Sequence, residues 1–79
     1  HPNPFNPSTT LAWEQALAAP VEVRVWNLQG REVACMPLGQ LPAGRHQVEW
    51  TPQGLASGVY LYEVKTGSWV GKGRMVLLK

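Results

Sequence analysis

Polar and apolar residues alternate along much of this 79-residue chain. A period of two predicts β-strands, because successive strand side chains point to opposite faces. Val21-Glu22-Val23-Arg24-Val25-Trp26 is the clearest run. It puts the three valines inward and Glu22, Arg24 and Trp26 outward. Arg45 to Trp50 alternates in the same way, with His46, Val48 and Trp50 on one face and Arg45, Gln47 and Glu49 on the other. Ser8 to Glu14 reads as the first strand, with Leu11 and Trp13 sharing a face. Arg31 to Met36 reads as the third, with Val33 inward, and a possible bulge decides whether Cys35 or Met36 also turns in. Between these runs lie the turns Asn27 to Gly30 and Thr51 to Gly54. Gln15 to Ala19 is too short for an isolated helix and is cut off by Pro20, so it reads as a loop. Pro37 to Gly44 carries two prolines and two glycines and also reads as a loop.

The stretch from Leu55 to Leu78 organises the rest. Two β-rich runs flank Thr66-Gly67-Ser68, the signature of a hairpin. Gly58 permits a tight start to the first run. Tyr60, Tyr62 and Val64 then face the core, while Val59, Leu61, Glu63 and Lys65 face outward. Gly71 and Gly73 are expected to loosen the last strand. Ser57-Gly58-Val59-Tyr60 resembles the tyrosine corner, in which a tyrosine hydroxyl bonds back to upstream backbone. Tyr60 would be that residue. Six β-runs separated by short turns predict an all-β fold, an immunoglobulin-like antiparallel β-sandwich of six to seven strands.

At this length one domain is expected over residues 1–79. Three prolines in the first seven residues make 1–7 a stiff lead-in, with Phe5 its anchor on the sandwich edge. Cys35 is the single cysteine, which excludes an internal disulfide. Its apolar setting predicts a small buried hydrophobe. Four Trp, two Tyr and one Phe must supply the packing that disulfides give other small domains.

The formal net charge is +2, with seven Lys and Arg dispersed along the chain. Nucleic-acid binding would want them clustered. No apolar run reaches the length that crosses a bilayer, so no membrane insertion is expected. All five acidic residues are glutamates, and they scatter to outward positions or turn edges. That leaves neither a carboxylate pair for hydrolysis nor a metal cage. No serine stands in a nucleophile elbow. His46 lacks metal-ligand partners and reads as a core-edge histidine with one hydrogen bond. The expectation is therefore a non-enzyme without cofactor or metal. Trp26 and Trp69 are candidate platforms for stacking on sugar rings. The absence of an initiator Met gives the chain the look of a segment of a larger protein.

Motifs in a fixed order carry a resemblance. They are Pro2-Asn3-Pro4-Phe5-Asn6-Pro7-Ser8-Thr9-Thr10, Val25-Trp26-Asn27-Leu28-Gln29-Gly30-Arg31-Glu32-Val33, Pro42-Ala43-Gly44, Leu55-Ala56-Ser57-Gly58-Val59-Tyr60 and the terminal Lys72-Gly73-Arg74-Met75-Val76-Leu77-Leu78-Lys79. Together they resemble type A C-terminal sorting domains of the type IX secretion system, over essentially the whole chain. The immunoglobulin-like domain of the flagellar hook-capping protein is related. His1, Trp13 and Cys35 depart from the commoner residues without breaking the order.

The resemblance implies a non-catalytic sorting signal at the end of a larger secreted protein. The secretion machinery would recognise it in the periplasm and pass its upstream cargo through the outer membrane. A cell-surface sortase would then attach the cargo to the surface. The ending at Lys79 fits a natural C-terminus. The densest motif makes Gly58, Val59, Tyr60, Lys72, Arg74, Met75, Val76, Leu77, Leu78 and Lys79 the candidate recognition surface. The alternatives are a structural immunoglobulin-like spacer or assembly domain, and a carbohydrate-binding module using Trp26 and Trp69.

Overall fold

The computed structural model describes residues 8–78. The lead-in over 1–7, the position of Phe5 and that of Lys79 lie outside the described residues. Among the described residues six strands form: β1 (Thr9–Gln15), β2 (Ala19–Trp26), β3 (Glu32–Leu41), β4 (Gly44–Trp50), β5 (Gly58–Thr66) and β6 (Trp69–Leu77). They make two antiparallel sheets, one of order β1-β4 and one of order β3-β2-β5-β6. The thinnest dimension is 17 Å, which fits two stacked sheets and no third layer. The fold is all-β and compatible with an immunoglobulin-like sandwich.

The inward faces follow the alternation. Val21, Val23 and Val25 of β2 are buried, with Tyr60 and Val64 of β5 and Met75 and Leu77 of β6. Leu11, Trp13 and Trp50 cover them from the small sheet. The Tyr60 hydroxyl donates a hydrogen bond to the Ala56 carbonyl at 2.7 Å. This is the tyrosine-corner bond, and it ties the start of β5 to the chain leading into it. Gly67, at φ 57°, opens the two-residue turn between β5 and β6, and Ser68 keeps a negative φ. Glycine first is what a hairpin of this length asks for.

Three expectations are corrected. The stretch from Pro37 to Gly44 is not a loop: β3 continues to Leu41, β4 starts at Gly44, and only Pro42 and Ala43 connect them. β3 is an edge strand, where a proline need not donate to a ladder, so Pro37 does not end it.

Cys35 is exposed, not buried. Register shifts in β3 leave Val33 and Leu38 unpaired between partnered neighbours, so that Met36 lies opposite Val23 and Cys35 opposite Arg24. Met36 therefore turns in and Cys35 out.

Gln15 is not a loop residue but the buried end of β1, only 3% exposed. Its Oε1 accepts from Trp13 Nε1 at 3.1 Å, and its Nε2 donates to the Leu17 and Leu41 carbonyls at 3.0 Å each. A buried amide satisfied in this way fastens the end of β1 to the end of β3, one sheet to the other.

Candidate functional site

The candidate recognition residues lie on β5, on β6 and just after it, and part of the set is on the outward face that these strands share with β2. Antiparallel register sets them in rows across the strands. Val59 lies opposite Val76. Trp26 lies opposite Leu61, which lies opposite Arg74. Arg24 lies opposite Glu63, which lies opposite Lys72. Trp26, Leu61, Glu63, Lys72 and Arg74 border an open groove of about 580 Å³, which Tyr62 and Gly73 also line. Val76 is 58% exposed and Leu78 75%, so the strip beside the groove is apolar.

The structure thus brings Gly58-Val59-Tyr60 against Met75-Val76-Leu77 in one ladder, Gly58 opposite Leu77 and Tyr60 opposite Met75. It also divides the predicted set. Tyr60, Met75 and Leu77 point into the core and hold the strand in place. Val59, Lys72, Arg74 and Val76 are the side chains a partner would meet. Among the described residues β6 ends the order of its sheet, and the outer edge of such a strand carries backbone groups that can pair with an added strand.

Charge is unevenly spread over this face. Arg24 pairs with Glu22 and lies 3.8 Å from Glu32. The hydrogen bond to Arg24 holds the Glu22 carboxyl below the usual range, and Arg24 is raised in turn. Among the described residues Lys72 and Arg74 carry no ion pair. Cys35 stands on the carboxylate side. Loss of water around its sulfur comes first, followed by the charges of Glu22 and Glu32, and together they push the thiol above its ordinary range.

The two tryptophans singled out for stacking lie on opposite faces of the sheet. Trp26 is half-buried beside the groove. Trp69 belongs to the inward side of β6, and its ring lies so close over Gly71 that an added Cβ would sit 2.4 Å from it. They form no common platform. Gly73 seats the Tyr62 ring likewise, with a built Cβ 2.5 Å from the hydroxyl. The two glycines are seats for aromatic rings, which sequence reading took only as weak points.

On the other sheet, His46 Nε2 donates to the Pro42 carbonyl at 2.7 Å, and the ring leans on Trp13 with centroids 5.8 Å apart. That is the core-edge histidine with one hydrogen bond. Among the described residues no three His, Cys, Asp or Glu side chains gather as a metal site would need, and no helix is long and apolar enough to cross a membrane.

Comparison with curated proteins and with solved structures found no match. Comparison with sequence families matched residues 1–77 to the secretion system C-terminal sorting domain. The match takes in both the groove face and the edge strand, and the chain belongs to that family, the C-terminal sorting domains of type IX secretion.

Proposed function

We propose that this chain delivers a larger secreted protein through the outer membrane and on to attachment at the cell surface, and that it does so without catalysis. The secretion machinery reads β6 together with Gly58-Val59-Tyr60, and a surface sortase acts on the delivered cargo. Family membership supports the sorting role. The observation that carries the choice of surface is the pairing of Gly58-Val59-Tyr60 with Met75-Val76-Leu77, on the strand that ends its sheet among the described residues. A partner strand added there gains main-chain hydrogen bonds, and alternate side chains give it specificity. Lys72 and Arg74, exposed along the same strand, discourage the edge from pairing with its own copies.

Deleting Met75 to Lys79 from a cargo fusion tests this. Cargo left in the periplasm, with the fusion still soluble there, is the expected result. Normal export of the truncated fusion would overturn the assignment of the surface.

A further inference from the structure

We infer that the groove bordered by Trp26, Leu61, Lys72 and Arg74 docks an extended acidic segment of a partner protein, one that places an aliphatic or aromatic side chain between carboxylates. The apolar part of this chemistry is Trp26 and Leu61, opposite each other across β2 and β5. Leu61 is 43% exposed, although it sits mid-strand in a four-stranded sheet. A half-covered tryptophan beside an exposed leucine is the kind of anchor on which interface energy concentrates.

The charge fixes the occupant. The row through Leu61 ends at Arg74, and the next row ends at Lys72. Both cations lack an ion pair among the described residues, while two of the carboxylates on this sheet, Glu22 and Glu32, are engaged by Arg24. Among the described residues of this face, Glu63, opposite Lys72, is the carboxylate that remains to offset them. The groove therefore offers an excess of positive charge next to an apolar anchor, and its complement is acidic and apolar together. A second copy is the poorer occupant, because an isologous contact would set the same face, with its excess of cations around the groove, against itself.

This docking deepens the sorting role at the same strand. It is read in vitro without export, so either can fail alone.

The test is a titration of the isotopically labelled 79-residue chain, followed by amide NMR, with the capped peptide Asp-Leu-Glu-Phe-Asp. The control peptide carries Asn and Gln in place of Asp and Glu. The expected result is a set of shifts confined to the two rows Trp26-Leu61-Arg74 and Arg24-Glu63-Lys72. Affinity should fall by about tenfold or more for the control peptide and for a K72E/R74E variant, and should weaken in high salt. Both substitutions are at exposed positions, and the unperturbed spectrum of the variant verifies its fold. Four outcomes would overturn the inference: equal binding of the control peptide, equal binding by the variant, shifts elsewhere on the molecule, or no shifts at millimolar peptide. Concentration-dependent shifts of the same amides without peptide would make the occupant a second copy. Displacement of the peptide by an oligogalacturonate of equal charge would make it an acidic glycan. Either result overturns it too.

Discussion

Tyr62 and Gly73 lie opposite each other on β5 and β6, and each accounts for the other. The Tyr62 ring occupies the space a side chain at 73 would need. Gly73→Ala should therefore displace the ring and cost about 1–3 kcal/mol, the range for overfilling a packed site. In a Tyr62→Ala background the same change should cost much less, because the seat is then vacant. Denaturant unfolding of the four proteins checks this, and equal costs in both backgrounds would show that the ring is not the obstacle. A sequence shows a glycine in a strand only as a missing side chain. What fills the gap depends on cross-strand register, which local pattern does not give.

Cys35 was misplaced for a related reason. One residue of bulge reverses the facing of everything beyond it, and nothing in Val33-Ala34-Cys35-Met36 marks where the extra residue falls. Once placed, the thiol is exposed but disfavoured as a thiolate, first by loss of water and then by Glu22 and Glu32. A thiol raised in the folded state keeps its proton to higher pH. Alkylation of the folded chain near pH 8 should thus run slower than in the denatured chain, and its rate should rise at higher pH than for a free cysteine. An E22Q/E32Q variant should recover part of the difference, since it removes the charges and leaves the desolvation. Equal rates in the folded and denatured chains would contradict the raised value.

At the scale of elements, the strands with strict alternation were legible. β2 and β4 form where Val21 to Trp26 and Arg45 to Trp50 predicted them, and β5 and β6 close the hairpin around Gly67 and Ser68. β3 was legible only to Met36, because proline and glycine at 37 and 39 carry turn signals that an edge strand overrides. Gln15 was missed because a buried amide is identified by its partners. The Leu41 carbonyl that holds it lies 26 residues away.

The division of β6 into core-facing Met75 and Leu77 and outward Lys72, Arg74 and Val76 follows from period alone. Its place at the end of the sheet does not. That required the order β3-β2-β5-β6. An end strand with an apolar inward side and an outward side that mixes Val76 with two cations suits capture by a partner strand that is itself part apolar and part acidic.

For the whole molecule, the ordered motifs spread over the chain indicated the family that residues 1–77 match. The fold supplies what the motifs could not. It gathers widely separated pieces, from Trp26 through Gly58 to Leu77, onto one sheet. It also leaves the opposite sheet, with His46 held against Trp13 and the Pro42 carbonyl, as the cover of the core.

The sorting role requires the 79 residues to act alone as a destination signal. The direct measurement is to fuse the full chain to the end of an inert, exportable reporter in a bacterium with type IX secretion, and to assay the periplasm, the cell surface and the medium. The account predicts reporter at the surface or in the medium, lost when the secretion system is disabled. A reporter that stays in the periplasm with the fused chain intact and folded would contradict it.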